Sequence, residues 1–171
     1  FRLKEIKDRI YEAVEIQEEK VLNKKFPQNR TELEEYADLI LYNLQVGRNV
    51  LTDHNKLTIF TNGNDKFQSL TEDLKKAKES IHLQYYIIKD DVVFQRIKDI
   101  LIQKAKEGVE VRILYDGMGC RGLSQKIFKP LYQEGVKIAE FFPAILKRFH
   151  LRLNYRNHRK IVVIDGKVGY I

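Results

Sequence analysis

Short runs of β-branched and aromatic residues recur at 80–88, 109–115, 136–142 and 161–164, and the stretches between them read as helices and loops. Each run has the length and composition of a strand rather than of a helix. After 80–88, Val93, Ile97, Ile100, Leu101 and Ala105 recur at helical spacing, with Asp90 and Asp91 at the start and Gly108 at the end. After 109–115, Ser124 opens a short helix that runs through Gln133 and stops at Gly135. Strand–helix–strand–helix–strand is the pattern of an α/β domain, because parallel neighbours need crossover connections. Upstream, Lys56–Thr61 reads as one more strand turned by Asn62-Gly63. Asn64 or Asp65 then caps a helix carrying Phe67, Leu70, Leu74 and Ala77. The expected fold class is α/β, a mixed, mostly parallel sheet flanked by helices.

The first fifty residues have a different period. Ile6, Ile10, Val14 and Val21 form one narrow apolar stripe over 3–24, amid many charges of both signs. The loop at 26–30 ends that helix. Thr31 and Glu34 fit a capping box for a second helix, with Leu33, Tyr36, Ala37, Ile40 and Leu44 on one face and Gly47 at its close. The division expected is a helical N-terminal segment, 1–50, and a catalytic α/β part, 56–171. A helical hairpin packed on that part explains 1–50 better than an amphipathic membrane surface, whose polar face would carry a basic excess.

Chemistry concentrates at the ends of the strands. Ile161–Ile164 is bounded by a polar run and by Asp165-Gly166, a hairpin turn signal. Side chains alternate along a strand, so His158 and Lys160 share a face at its entrance. An imidazole beside an ammonium is equipped to attack phosphorus and to hold its oxygens. In open α/β sheets, ligands sit outside the carboxyl ends of strands. The stretch Asp116-Gly117-Met118-Gly119-Cys120-Arg121-Gly122 follows such an end, so Asp116 and Arg121 are further candidates. It lacks the Gly-Lys-Ser/Thr of a nucleotide-binding loop. Cys120, alone in the chain, offers no disulfide framework, suits a reducing compartment and carries no mark of activation.

Residues 141–164 hold Lys147, Arg148, Arg152, Arg156, Arg159 and Lys160 and contain no acid. With a net charge of +7 and a pI near 9.3, the chain favours anionic partners. Phosphodiester exchange needs a nucleophile, a general acid for the leaving alkoxide and cations for the equatorial oxygens. Lysines supply the charge that a metal supplies elsewhere, and no carboxylate–histidine cluster has metal-ligand spacing, so no metal and no cofactor are expected. His54, His82 and His150 are isolated. No apolar run approaches the ~20 residues of a membrane span, and no signal peptide is visible.

His-x-Lys, four residues and Asp, at 158–165, resembles the signature of the phospholipase D superfamily. The likeness extends to I-H-L-Q-Y-Y-I-I at 81–88, V-E-V-R-I-L-Y-D at 109–116 and R-G-L-S at 121–124. Together with the stretch ending N-H-R-K-I-V-V-I-D-G-K-V-G-Y-I, these look like the first half of a bacterial cardiolipin synthase. The resemblance covers 57–171, roughly two thirds of the chain, and implies a phospholipase D-like half domain. It implies His158 as the nucleophile or its partner acid and Lys160 as a phosphate ligand. Asp165 joins the motif, with anchoring of the turn as its expected job. Arg156, Arg121 and Asp116 are expected at the substrate.

The activity implied is transfer of a phosphatidyl group between two phosphatidylglycerol molecules through a phosphohistidine, at the cytoplasmic side of a bacterial membrane. Anionic phospholipid is the expected partner, not nucleic acid. The superfamily's sites combine two such motifs, and this chain has one. The Gly-Gly-x-Asn stretch and acidic pair that would follow are not present. The expectation is a fragment, inactive by itself, which lacks a C-terminal half, with pairing of two copies as the alternative. A phospholipase D-type hydrolase or nuclease, and a non-catalytic binder of anionic lipid or nucleic acid, are the rival readings.

Overall fold

The computed structural model describes residues 2–26, 31–52, 54–141 and 157–171. Arg156, with Lys147, Arg148, His150 and Arg152, lies outside them. The chain falls into two compact units, 1–58 and 59–171.

In the first unit, α1 spans Arg2–Leu22 and α2 spans Ala37–Gly47, with a 3-10 turn at Thr31–Glu34 between them. Val14, Val21, Ile40 and Leu44 are buried together. Only the second half of the α1 stripe is covered, since Ile6 and Ile10 remain 48% and 42% exposed. The second helix starts later than its apolar face suggests and closes on Arg48 in the left-handed region, not on Gly47. Gln17 fastens the chain beyond α2. Its amide donates to the Leu51 carbonyl at 2.8 Å and accepts the Leu51 N–H at 2.7 Å.

The second unit is a five-stranded mixed sheet. Its elements are α3 (Gly63–Lys76), β1 (Ser80–Tyr85), α4 (Val92–Lys106), β2 (Glu110–Asp116), α5 (Lys129–Gln133), β3 (Lys137–Phe141), β4 (Ile161–Ile164) and β5 (Val168–Tyr170). The strand order is β3-β2-β1-β4-β5. β1, β2 and β3 run parallel, and β4 and β5 form an antiparallel hairpin beside β1. One sheet face makes the core. Ile81 and Leu83, Val111 and Ile113, and Val162 and Ile164 stand in register and are buried with Leu70, Leu74, Phe94, Ile97 and Leu101. Each such side chain contributes roughly 1.5–3 kcal/mol by leaving water, so β4 is held largely by Val162 and Ile164.

The helix starts follow local chemistry. Asp91 accepts the Phe94 N–H at 2.8 Å and caps α4. Asn62, not Asn64 or Asp65, caps α3: it accepts the Asp65 N–H at 2.9 Å while its amide donates to the Asp65 carboxylate at 2.6 Å. Asn62-Gly63 is therefore a helix start rather than a strand turn. The strand expected at Lys56–Thr61 does not form. Its alternation is real, but among the described residues no ladder partner receives it, and Leu57 and Ile59 are 83% and 81% exposed. An extended run without a partner leaves its backbone to water. Phe60 alone turns inward and stacks on the Tyr170 ring.

Candidate functional site

The parallel strands end at Tyr85, Asp116 and Phe141, and antiparallel β4 begins at Ile161. Gln84 lies opposite Ile161, so residues 157–160 enter the sheet where β1 and β2 leave it. His158 and Lys160 are therefore at the carboxyl end of the sheet, as their position before β4 suggests.

Three contacts build this corner. The His158 ring lies flat on the Tyr86 ring, centroids 4.0 Å apart and planes 15° from parallel. Lys160 Nζ donates to the His158 carbonyl at 3.0 Å, which keeps its ammonium beside the same turn of backbone. Asp116 is 1% exposed and has both oxygens occupied. One accepts the Met118 and Gly119 N–H groups at 2.9 and 3.1 Å, and the other accepts the Asn157 N–H at 3.1 Å. Asp116 thus ties the loop after β2 to the residue before His158. The substrate contact expected of Asp116 gives way to a peg, because no part of its carboxylate faces solvent.

The glycine-rich loop has a similar role. A Cβ on Gly119 would stand 2.1 Å from the Tyr86 carbonyl oxygen, so only glycine lets the loop lie against that peptide. The next residue, Cys120, accepts the Ile88 N–H at 3.1 Å and reaches the Tyr86 carbonyl at 3.6 Å. Burial pushes the Cys120 thiol pKa up, which keeps it protonated and unreactive. Of the three glycines in the loop only Gly119 lies against Tyr86, and a Cβ on Gly122 would meet nothing within 4 Å. Arg121 sits at the end of this loop, exposed, with no side-chain partner among the described residues.

Asp165 stands apart from this corner. Four residues of β4, roughly 13 Å of strand, separate it from Lys160. Its carboxylate accepts the N–H groups of Lys78, Glu79 and Ser80 at 2.9, 2.8 and 2.9 Å. Asp165 and Gly166 both have positive φ, 52° and 65°, and Lys167 N–H returns to the Ile164 carbonyl at 2.9 Å. Ile164 pairs with Val168, so the loop holds three residues, 165–167, with Asp-Gly supplying its two positive-φ positions, and the aspartate also anchors the entry to β1.

The three backbone donors, Ser80 first, hold the Asp165 pKa below its ordinary value. A folded-state pKa below the unfolded one gives stability that is present above the unfolded pKa and lost as pH falls through the folded one. Asp165→Asn is therefore expected to lower Tm at pH 7 and to flatten the fall in Tm below pH 4. Melting curves from pH 7 to 2 check this, and parallel curves for the two proteins would refute it.

Two of the predicted residues, His158 and Lys160, are adjacent, and Asp116 holds their backbone from behind. Asp165 is at the other end of the strand, and Arg156 lies outside the described residues. Tyr86 was not foreseen, although a large aromatic just past the end of a buried strand is a signal in itself. Among the described residues no cluster of His, Cys, Asp and Glu is arranged to hold a metal, and no helix is long and apolar enough to cross a membrane.

A family model described as cardiolipin synthase, PLD-like domain, matches residues 70–171. The chain belongs to that family. The major cardiolipin synthase ClsA of Bacillus subtilis strain 168 is 49% identical over 148 residues, 86% of this chain and 31% of that protein. A cardiolipin synthase of Oceanobacillus iheyensis is 45% identical over 148 residues, 85% of this chain and 30% of that one. One from Listeria monocytogenes is 40% identical over 162 residues, 95% and 34%. The chain thus spans about a third of the length of the curated cardiolipin synthases it matches.

Proposed function

We propose that this segment is the first catalytic half of a cardiolipin synthase. The observation that carries the reading is the exposed His158 imidazole, stacked on Tyr86 with the Lys160 ammonium beside it, in a chain of this family. In the proposed reaction an imidazole nitrogen of His158 attacks the phosphorus of one phosphatidylglycerol. The bond from phosphorus to the glycerol oxygen breaks, and that oxygen takes a proton from a second imidazole. The terminal hydroxyl of another phosphatidylglycerol then attacks the phosphohistidine, returns a proton to the second imidazole and leaves as cardiolipin. Lys160, with Arg121 and Arg156, neutralises charge that grows on the equatorial oxygens.

The second imidazole is assigned to another half of the polypeptide, since 158–165 is the one place in this segment where His-x-Lys is followed by four residues and Asp; His54-Asn55-Lys56 has Thr61 at that position. By itself the segment completes no cycle. The +7 charge suits the anionic surface from which the substrate is taken, on the cytoplasmic side of the membrane. Asp116 and Asp165 position the corner and the hairpin and take no part in proton transfer.

The test is product analysis with the full-length protein on phosphatidylglycerol vesicles. Cardiolipin and free glycerol are expected. Phosphatidic acid in place of cardiolipin would make it a hydrolase, and binding without any product would overturn catalysis.

Tyr86→Leu is expected to lower kcat by up to about tenfold, the worth of an aromatic stack, with KM little changed. Tyr86→Phe keeps the ring and the rate. Equal losses in both variants would show that the hydroxyl matters and the stack does not.

A further inference from the structure

On the core side of the sheet, at the same end as His158, lies a pocket of about 160 Å³. Its walls are Phe67, Leu83, Ile88, Phe94, Ile97 and Ile113. Closed cavities of this size and lining admit a six-carbon apolar group. This one reaches the surface, because Ile87 and Val93, 44% and 41% exposed, also line it.

Three polar residues interrupt the apolar wall: Tyr85, Lys89 and Asp91, whose carboxylate accepts the Phe94 N–H. The Tyr85 ring forms part of it, and among the described residues the Tyr85 hydroxyl has no hydrogen-bond partner. Burial alone pushes its pKa up. Tyr85 is half-buried at the pocket, and its unpaired hydroxyl is placed to donate to a ligand acceptor there. Lys89 also lines the pocket, exposed and without an ion-pair partner among the described residues.

Tyr85 and Tyr86 are consecutive at the end of β1. Tyr85 faces the pocket and Tyr86 carries His158. A phospholipid that passed round this strand end, with its phosphate on the Tyr86 side and an acyl chain on the Tyr85 side, would meet both.

We propose that this pocket is an acyl subsite: it takes the first carbons of a fatty acyl chain, and Tyr85 donates to the ester carbonyl. The proposal rests on the phosphatidyl-transfer reading and adds to it which part of the lipid this half holds. It explains an apolar pocket beside a phosphate site, which a headgroup alone would not use.

The test uses the methyl NMR spectrum of the 171-residue chain, titrated with dihexanoylphosphatidylglycerol below its micelle concentration. The methyl groups of Ile88, Ile97 and Ile113 are expected to shift, and glycerophosphoglycerol, the headgroup without chains, leaves them unmoved. The dihexyl ether analogue, which lacks the carbonyls, should bind about fivefold more weakly, the worth of one hydrogen bond. Tyr85→Phe should erase that preference, and Val93→Trp, which plugs the mouth from an exposed position, should erase the shifts.

Shifts with the headgroup alone, or no shifts with the diester, would overturn the subsite. So would an ester preference that survives in Tyr85→Phe. Failure of the subsite is separable from failure of the reaction. Undiminished cardiolipin formation by full-length Val93→Trp removes the pocket and leaves phosphatidyl transfer. Absence of any lipid product from the wild-type full-length protein removes phosphatidyl transfer and leaves the methyl shifts to decide the pocket.

Discussion

Replacing His158 with alanine is expected to stop turnover of the full-length protein while its fold survives. Loss of a covalent nucleophile costs on the order of 10⁴-fold or more in kcat, because the other groups of the site cannot replace the bond it makes. Stability changes little. The side chain is exposed, and its stack on Tyr86 is worth about 1 kcal/mol. The measurement is cardiolipin release on phosphatidylglycerol vesicles, paired with a melting curve. A rate within tenfold of wild type at unchanged Tm would take His158 out of the mechanism. A large drop in Tm would mean that the stack supports more of the fold than its surface position implies.

Asp116→Ala is expected to damage both stability and rate. The substitution strips three N–H groups, on Met118, Gly119 and Asn157, of a buried charged acceptor. Leaving such donors unpaired costs about 3 kcal/mol or more, which lowers Tm on the order of 10 °C for a domain of this size. Turnover falls further than stability requires, because the peptide before His158 and the loop under Tyr86 lose their common tie. Asp116→Asn separates the two effects, since its single carbonyl oxygen can serve only one side of the junction. Thermal melts and kcat for both variants check this. Full activity in a destabilised but folded Asp116→Ala would show that Asp116 supports the fold alone.

Much of this was legible in residue patterns. β2 and β4 announced themselves through Val109, Val111, Ile113 and Tyr115 and through Ile161–Ile164, because burial on one sheet face needs that spacing. Strand alternation predicts a shared face for His158 and Lys160, but residues 157–160 lie outside β4, and it is the Lys160 bond to the His158 carbonyl that keeps them together. The failures share a cause. Lys56–Thr61 alternates like a strand, but strand formation depends on a ladder partner, and the partner is chosen by the whole fold. Asp116 looked like a ligand because acids at strand ends often are. That its oxygens meet Asn157, 41 residues away, is a fact of tertiary structure. Asp165 belongs by resemblance to the motif and by Asp-Gly chemistry to the turn. The three N–H groups on its carboxylate favour the turn.

The hairpin of β4 and β5 also bears on the order in which the protein folds. Asp165 reaches Ser80 across 85 positions, and the connection from β1 to its neighbour β4 passes through α4, β2 and β3. Pairings so distant in the chain close slowly, since the entropy of a long loop is surrendered before any contact repays it. His158 precedes β4, which is expected to join last. In a refolding experiment helical circular dichroism should therefore recover before the ring-current signature of His158 on Tyr86. On that order, the stack of His158 on Tyr86 is expected to form only when β4 has joined the sheet.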